Sequence, residues 1–325
     1  MTFRPWFSRA AVLSAALLMA LPAAAQAPKF PNKPVRIVVG FGAGGGTDLA
    51  ARAIGQKLSE AFGASFVVDN RPGASGNLAG DIVAKSNPDG YTILMANSTI
   101  AIPSLSIKLP FDIRKDFTPL SLIALGPSVL VVHPSLPATD VKSFVTLAKS
   151  KPRGLTFGSG GIGNVTHLAM ELLMSSAGLQ MVHIPYKGGA PSVVGLVSGE
   201  VQTLFTSIPT ALPQINAGKM RALGVSISKR SSALPNVPTV AEAGVPGYYA
   251  ASWYGLLLPS GVPKPVVDVL SKEIVAAMEV PSIREGMLRQ GFEPVGNKPE
   301  AFRKFIGEEI PRWEKVVKNA DIKPE

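Results

Sequence analysis

The stretch that decides the fold begins on an apolar run and ends in a polar helix start: Val38-Val39-Gly40-Phe41-Gly42-Ala43-Gly44-Gly45-Gly46-Thr47-Asp48. Residues 35–40 are typical of a buried strand, and residues 49–62 place apolar side chains at helical spacing. Glycine carries no Cβ, so backbone N–H groups can close around an anion, and the following helix points its positive end at the same place. The stretch therefore predicts a strand, an anion-binding turn and a helix in succession.

Several ligands fit this first glycine-rich loop (residues 40–48). Gly40-x-Gly42-x-x-Gly45 matches the dinucleotide fingerprint, and Asp69 ends the next predicted strand, where a ribose-binding acid would stand. A phosphate loop is a weaker match, because no lysine precedes Thr47. A carboxylate-binding loop is the third interpretation. The plain structural alternative is a turn that only caps its helix through Thr47 or Asp48.

A second glycine-rich loop (residues 158–166) lies in the other half of the chain, within Phe157-Gly158-Ser159-Gly160-Gly161-Ile162-Gly163-Asn164-Val165-Thr166. It too leaves a predicted strand, 155–158, and opens a predicted helix, 167–176. Facing helix N-termini can clamp one small anion between two lobes, whereas a dinucleotide enzyme has little need of a second anion site. The two loops together favour a two-lobed binding protein.

Short apolar segments alternate with helical segments along the rest of the chain. The other predicted strands are 65–68, 91–96, 129–133, 182–185, 201–206, 221–226 and 253–259, and the other predicted helices are 140–150, 192–198, 266–278, 282–290 and 299–319. This alternation predicts an α/β fold with largely parallel sheets covered by helices. Ligands of such sheets bind at the carboxyl ends of the strands, where both glycine-rich loops lie.

Composition narrows the class of protein. A chain of 325 residues with 46% hydrophobic and 17% charged residues can build about two domains with real cores. It holds no cysteine, which excludes a disulfide scaffold, a thiolate zinc site, an iron–sulfur cluster and a cysteine nucleophile. Its three histidines, His133, His167 and His183, offer few candidate ligands for a multi-histidine metal site.

Residues 1–25 have the pattern of a cleaved secretory signal. Arg4 and Arg9 precede an apolar run at 10–21, which is well short of the ~20 residues that span a bilayer, and Ala23-Ala24-Ala25 supplies the small residues of a cleavage site. We expect export to the periplasm, cleavage after Ala25 and a soluble mature protein. Removal of this segment lowers the net charge from +10 to +8. The remaining basic residues lie apart, so no nucleic-acid partner is expected.

The sequence offers no catalytic constellation. Ser159 lies in Gly158-Ser159-Gly160-Gly161, which is not the Gly-x-Ser-x-Gly of a nucleophile elbow. His167 and Glu171 stand four residues apart on one predicted helix, a spacing more typical of a helix-surface contact than of a metal site. We therefore expect a protein that is not an enzyme and has no cofactor and no metal.

Further short motifs follow one another in a fixed order over about 210 residues. They are Gly46-Thr47-Asp48 with Ala51-Arg52, Asn70-Arg71-Pro72-Gly73-Ala74-Ser75-Gly76, Pro88-Asp89-Gly90-Tyr91-Thr92, His167-Leu168, His183-Ile184-Pro185-Tyr186-Lys187-Gly188-Gly189, Ala217-Gly218-Lys219-Met220-Arg221-Ala222-Leu223, Pro238-Thr239-Val240-Ala241-Glu242-Ala243-Gly244 and Trp253-Tyr254-Gly255-Leu256. Together they resemble the Bug-type extracytoplasmic solute receptors of the tripartite tricarboxylate transporter (TTT) family. The resemblance covers essentially the whole mature chain.

That resemblance implies a two-lobed periplasmic-binding-protein fold, type II-like, with the ligand in the cleft between the lobes. Lobe one would be 28–128 with 253–325, and lobe two 129–252. It implies a monomeric periplasmic receptor that captures a small carboxylate and hands it to membrane permease subunits. A nicotinamide-dependent oxidoreductase, or a ligand sensor feeding a signalling receptor, are the alternatives. Which carboxylate is bound stays open.

The resemblance also implies which residues meet the ligand. Phe41 would pack on it, and Gly45, Gly46 and Thr47 would hold one carboxylate directly or through water. Asp48 would repel an anion, so it would cap its helix or meet a ligand amine or hydroxyl. The other implied ligand residues are Ser98, Thr99, Ser159, Gly160, Gly163, Asn164, Thr206 and Ser207. Neither glycine-rich loop holds an arginine or lysine, so backbone N–H groups and helix dipoles would bear the charge.

Overall fold

The computed structural model describes residues 2, 30–102, 109–319 and 322, and residues 33–325 form one compact unit. Residues 1–32 are a separate unit. The predicted signal peptide and its cleavage site fall, Thr2 apart, outside the described residues. None of the helices in the described ranges is long and apolar enough to cross a bilayer.

The strands and helices alternate as the sequence indicates. The strands are β1 (Val35–Val39), β2 (Phe66–Asn70), β3 (Thr92–Asn97), β4 (Phe117–Val132), β5 (Thr156–Ser159), β6 (Val182–Pro185), β7 (Thr203–Ser207), β8 (Arg221–Val225), β9 (Ala251–Pro259) and β10 (Glu293–Pro294). The helices are α1 (Gly46–Phe62), α2 (Asn77–Ala84), α3 (Val141–Ser150), α4 (Val165–Ala177), α5 (Gly189–Val197), α6 (Ile208–Asn216), α7 (Lys264–Glu279), α8 (Pro281–Arg289) and α9 (Pro299–Asn319). Short 3₁₀ turns occupy Ala74–Gly76 and Ser98–Ala101.

The strands form a curled sheet in the order β2-β1-β3-β9-β4-β7-β5-β6, with β8 and β10 also paired to β4. β1 is parallel to β2 and β3, and β5 is parallel to β6 and β7. The long strand β4 joins these two parallel halves. It pairs with β9 as far as Pro127 and then, from Ser128, with β7. The result is a two-lobed α/β fold, which confirms the predicted fold class.

Each face of the sheet carries its own core because side chains alternate along a strand. On β4, Leu130 and Val132 pack into one core of the second half, while Val129 and Val131 pack into the core on the opposite face. All four side chains are fully buried. Burial of each one contributes roughly 1.5–3 kcal/mol of hydrophobic stabilisation, which fixes the register of β4.

The C-terminal helix α9 contributes to the cores of both halves. Phe302 and Ile306 pack in the core of the first half, whereas Trp313 and Val317 pack in a core of the second half. Pro311 lies between these pairs, inside the helix. The predicted lobe boundaries, which assign 253–325 to lobe one, remain a prediction.

Four features differ from the predicted secondary structure. Strand β4 starts at Phe117, where the sequence predicted a strand only from residue 129. Helices α2 and α6 and the short strand β10 were not predicted at all. The other predicted elements are present, with their ends shifted by a few residues.

Candidate functional site

A cavity of about 40 Å³, the inner cavity, lies between the two halves where the glycine-rich loops meet. It is lined by Phe41, Gly45, Gly46, Thr47, Asn97, Ser128, Asn164, Val165, Thr166, Gly189, Thr206, Ser207, Ser252 and Tyr254. Among these described lining residues, none has a charged side chain. Hydroxyl, amide and backbone groups therefore set the chemistry of the cavity.

Four helices begin at or directly after residues that line the inner cavity. α1 begins at Gly46, α4 at Val165 and α5 at Gly189, and Ser207 immediately precedes α6. The N–H groups of a helix's first turn have no acceptor within the helix, and they carry the positive end of its dipole. The cavity is thus an environment for an anion that needs no cationic side chain.

Thr206 presents an unsatisfied hydroxyl to this cavity. The residue is fully buried, yet within the described part of the chain its Oγ1 has no hydrogen-bond partner. A buried polar group left without a partner costs about 1–3 kcal/mol. The neighbouring hydroxyls are satisfied, since Ser207 Oγ and Thr210 Oγ1 lie 2.7 Å apart. A polar ligand atom in the cavity would remove the cost at Thr206.

The carboxylate of Asp48 holds the first glycine-rich loop. Its Oδ2 accepts hydrogen bonds from Gly44 N and Arg52 Nε, both at 2.9 Å, and its Oδ1 accepts one from Asn70 Nδ2 at 3.0 Å. Burial raises the pKa of Asp48, but these hydrogen bonds and the Arg52 charge outweigh it, so the pKa lies below its usual 3.8. Asp48 does not line the inner cavity; its contacts are those of a clamp within the loop.

Neutral groups hold the second glycine-rich loop. Asn164 caps α4, because its Oδ1 accepts from Thr166 N at 3.0 Å, and Thr166 Oγ1 accepts from Gly160 N at 2.9 Å. His167 Nδ1 accepts from Gly163 N at 3.1 Å. The loop is therefore closed by an amide, a hydroxyl and an imidazole.

A pair of stacked imidazoles supports this second loop from behind. The rings of His167 and His183 are parallel within 8°, with centroids 3.9 Å apart, and His183 Nε2 lies 2.6 Å from Ser159 Oγ. Burial, helped by His167, lowers the pKa of His183 from 6.5 to about 3. His183 is therefore neutral at physiological pH, and Ser159 is occupied in supporting the loop.

The floor of the inner cavity comes from β3 and β9. Asn97 Nδ2 donates to Thr47 Oγ1 at 3.2 Å, and Asn97 Oδ1 accepts from Thr99 N at 3.1 Å. Tyr254 lies on β9, and its burial raises its pKa to about 12, although the hydroxyls of Ser252 and Ser207 act in the opposite direction. The phenol is thus a neutral hydroxyl at the bottom of the cleft.

Contacts between the two halves close the cleft over the cavity. Ser75 Oγ donates to Ile162 O at 2.7 Å, and Thr210 Oγ1 donates to Gly44 O at 3.4 Å. A Cβ placed on Gly46 would lie 2.4 Å from Tyr254 Oη and 2.8 Å from Ser207 Oγ. Only glycine at position 46 permits so close an approach.

The structure brings about half of the predicted site residues to the inner cavity. Those that line it are Phe41, Gly45, Gly46, Thr47, Asn164, Thr206 and Ser207, and those that do not are Asp48, Ser98, Thr99, Ser159, Gly160 and Gly163. Ser98 Oγ instead accepts from Trp253 N at 2.9 Å, and Gly160 lines a second cavity nearer the surface. Ligand contact by any of these residues stays a prediction.

Sequence reasoning missed seven lining residues. They are Asn97, Ser128, Val165, Thr166, Gly189, Ser252 and Tyr254. Gly189 and Tyr254 belong to motifs that carried the family resemblance, so a signal existed for them. Asn97 ends a correctly predicted strand and directly precedes Ser98, which the resemblance implied as a ligand residue.

The dinucleotide interpretation depends on Asp69, whose carboxylate is already paired. Its Oδ2 lies 3.4 Å from Arg36 Nη1, and its Oδ1 lies 2.9 Å from Arg71 Nε. Within the described ranges, no cluster of three or more His, Cys, Asp or Glu residues could hold a metal ion. The site's donors therefore suit a small anion better than a nucleotide or a metal.

Comparison with known proteins agrees with this geometry. Protein BugT of Bordetella pertussis is 34% identical over 301 residues, which are 92% of this chain and 92% of BugT. The structure of R. palustris Rpa4515 with adipate is 39% identical, has a TM-score of 0.89, and covers 91% of this chain and 100% of its own. MatC (Rpa3494) from Rhodopseudomonas palustris with bound malate is 32% identical, with a TM-score of 0.82 and coverage of 89% and 100%.

A family model described as "Tripartite tricarboxylate transporter family receptor" matches residues 50–322. That match spans most of the chain and agrees with relatives above 30% identity over nearly its whole length. It also confirms the resemblance that the eight sequence motifs indicated. The chain therefore belongs to the tripartite tricarboxylate transporter receptor family.

Proposed function

We propose that this protein is a periplasmic receptor that encloses a small carboxylate between its lobes and delivers it to membrane permease subunits of a tripartite transporter. The observation that carries the proposal is the inner cavity, where four helix N-termini and the unsatisfied Thr206 hydroxyl meet without any charged lining side chain. A carboxylate there would accept from N–H groups of the first helical turns, which have no acceptor within their helices, and would satisfy Thr206.

The relatives support the ligand class. Adipate and malate, bound by structures 39% and 32% identical to this chain, are both dicarboxylates. The family is one of transport receptors, which supports export through the segment at 1–25, a soluble mature chain and a monomer that shuttles to its permease. We place no chemical step in this protein, because the groups around the cavity bind and close rather than transfer protons.

Calorimetry on the mature chain, starting at Gln26, tests the binding function. The panel holds dicarboxylates, tricarboxylates, aromatic carboxylates and amino acids, with NAD as the opposing ligand. We expect one carboxylate class to bind and NAD to give no heat. Binding of NAD without any carboxylate would instead support the nicotinamide-dependent oxidoreductase.

A matched pair of variants tests the inner cavity itself. Within the described ranges, Thr206 Oγ1 and Ser271 Oγ both lie in buried residues without a hydrogen-bond partner, but only Thr206 lines the inner cavity. We expect Thr206→Val to weaken carboxylate binding about tenfold, the ~1.4 kcal/mol of one lost hydrogen bond. Ser271→Ala should leave affinity unchanged. Equal losses in both variants would contradict the assignment of the ligand to this cavity.

Uptake separates transport from sensing. In the protein's own host, deleting either the receptor gene or the permease genes should abolish uptake of the ligand found by calorimetry. A ligand sensor would leave uptake intact when its gene is deleted.

A further inference from the structure

The motif at residues 70–76 ends in a tight turn that does not line the inner cavity. Within this turn, residues 73–76, Ala74 and Ser75 have φ angles of 45° and 51°. Both angles lie in the left-handed region, which residues with a side chain rarely adopt. Such conformations persist where surrounding contacts hold them, and they cluster at ligand clamps and switch regions. The contacts of this strained turn should therefore indicate its role.

On one side, the strained turn packs against the first glycine-rich loop. A Cβ placed on Gly40 would lie 2.6 Å from Gly76 Cα, and a Cβ placed on Gly76 would lie 3.0 Å from Phe41 Cε2. Glycine at both positions permits this close contact. Phe41 in turn lines the inner cavity. The strained turn is therefore fixed to the half of the molecule that holds Phe41.

On its other side, the strained turn contacts the second glycine-rich loop through Ser75. The hydroxyl Oγ donates to Ile162 O across the cleft at 2.7 Å, and a Cβ placed on Gly161 would lie 3.1 Å from the same oxygen. The contact from Thr210 Oγ1 to Gly44 O also joins the two halves, but at 3.4 Å it is longer. A hydroxyl donor 2.7 Å from its acceptor has the usual length of a good hydrogen bond. Ser75 thus makes the stronger of these two contacts between the halves.

The acceptor of Ser75 belongs to a peptide unit that is also held from the second half. Ile162 O and Gly163 N are parts of one planar peptide unit, and Gly163 N donates to His167 Nδ1 at 3.1 Å. His167 Nε2 lies 3.3 Å from Glu171 Oε1. Hydrogen bonds in such a chain polarise and strengthen one another. In the closed cleft, Ser75 therefore completes a chain of contacts that runs from the strained turn into the second half.

We propose that Ser75 is a positioning residue that latches the closed cleft and so sets how long a bound carboxylate stays. This inference rests on the proposed function, in which the ligand leaves when the two halves separate. Ser75 acts through the second glycine-rich loop, because its hydroxyl is bonded to Ile162 O. It can reach that oxygen only when the halves meet, after the ligand has entered. The latch therefore slows release and has little influence on entry.

Stopped-flow rates with a matched pair of variants test the latch. Ser75→Ala removes the hydroxyl that bridges the halves. Ser86→Ala is the control, because Ser86 Oγ also donates to a backbone carbonyl, Val83 O, at 2.7 Å, but within the first half. The probes are adipate, malate and every other carboxylate that binds the wild-type chain in calorimetry. Adipate and malate are included because relatives bind them.

We expect Ser75→Ala to release each bound carboxylate about five- to tenfold faster, the effect of one lost hydrogen bond. Its association rate should stay within about twofold of the wild-type rate. Ser86→Ala should change neither rate. Ser75→Gly also lacks the hydroxyl, but it adopts the left-handed backbone without strain, so it should release the ligand faster while the turn stays intact. Urea denaturation checks that each variant is folded.

The outcomes separate the latch from the receptor function. If Ser75→Ala and Ser75→Gly leave the release rate unchanged, or if Ser86→Ala raises it equally, the latch is wrong and the receptor function stands. Release rates that rise by different factors for different carboxylates would show that Ser75 contacts the ligand directly, which also contradicts the latch. If no carboxylate binds the wild-type chain, the receptor function is wrong, and so is the latch that rests on it.

Discussion

The two glycine-rich loops occupy equivalent positions beside the inner cavity, but different kinds of side chain hold them in place. Each closes a turn at a helix N-terminus beside the inner cavity. The first is held by a buried carboxylate, Asp48, whose charge Arg52 offsets at 2.9 Å. The second is held by hydrogen bonds of Asn164, Thr166 and His167 without a carboxylate in the loop itself, and the Glu171 carboxylate lies behind it, 3.3 Å from His167 Nε2. Charged or neutral side chains can therefore hold an anion-binding loop, provided that the charge of any carboxylate is balanced by a cation and that the carboxylate does not line the cavity.

The loops also differ in how tightly they approach the opposite half. Gly46 of the first loop faces Ser207 and Tyr254 with no room for a Cβ, whereas the nearest obstacle to a Cβ on Gly160 is Asn164, 3.2 Å away within the second loop itself. Of the two obstacles at Gly46, Ser207 belongs to the second half, whereas Tyr254 lies on β9 beside β3. In the second loop a Cβ on Gly161 would lie 3.1 Å from Ser75 Oγ of the first half, so the approach of the two halves is tightest at Gly46 and looser at Gly161.

The largest expected effect follows from that steric difference. Gly46→Ala should lower carboxylate affinity about 10- to 100-fold, the ~1–3 kcal/mol typical of overpacking, because the cleft cannot close. Gly160→Ala should lower it less than about threefold, since the Asn164 side chain can shift by a few tenths of an ångström. Calorimetry measures both. Equal losses would mean that closure does not depend on the contact at Gly46.

The free energy of unfolding measures how much Asp48 and Asn164, which hold the two loops, contribute to stability. Asp48→Asn should lower the free energy of unfolding by about 1–2 kcal/mol, because Arg52 loses its partner but is half exposed and regains water. Asn164→Ala should cost about 1 kcal/mol, the usual value of a lost N-cap. Urea denaturation at pH 7 checks the order. A larger loss for Asn164→Ala would show that the charged clamp is the weaker one.

As the pH falls, the side chains that support the two loops should lose their contributions to the free energy of unfolding in different pH ranges. The pKa of Asp48 is lowered, so its contribution is present above about 4 and is lost as pH falls through the folded-state pKa. His183 stays neutral down to about 3 when folded but protonates near 6.5 when unfolded, so its stabilisation is lost as pH falls between those values. We expect His183→Gln to reduce the loss of stability between pH 6.5 and 4.5, by up to ~1.4 kcal/mol per pH unit.

Urea titrations at several pH values measure this dependence. Asp48→Asn serves as the control, because it should leave the slope between pH 6.5 and 4.5 as it is in the wild-type chain. An unchanged slope in His183→Gln would show that folding does not lower the pKa of His183.

Much of the fold could be predicted because local pattern and tertiary role agree in most elements. β1 and α1 follow from an apolar run, a glycine-rich turn and helical spacing. The first part of β4 could not be recognised, since Pro119 and Pro127 interrupt its pattern and the pairing with β9 shifts near Pro119. α6 was missed for a similar reason: it contains Pro209 in its first turn, where no N–H is needed, and Pro213.

The candidate site was predictable where backbone chemistry decides it. Gly45, Gly46 and Asn164 line the cavity. Their positions could be predicted because the sequence shows where the helices begin. Tyr254 reaches it through the pairing of β4 with β9, and Ser128 through the pairing of β4 with β7; no local sequence pattern reports these long-range contacts. Ser159 was placed on the ligand because it lies in a glycine-rich loop, but its hydroxyl faces His183 instead.

Helix α9 lies in the cores of both halves, and this has a mechanical consequence. If the halves rotate apart to admit a ligand, α9 must bend between Ile310 and Trp313, both nearly fully buried. Pro311 supplies no N–H to the helix at this point, so the bend starts at an already weakened turn. In such an opening, the packing of α9 in both cores would add to the free-energy cost, so residues that touch no ligand would influence ligand entry.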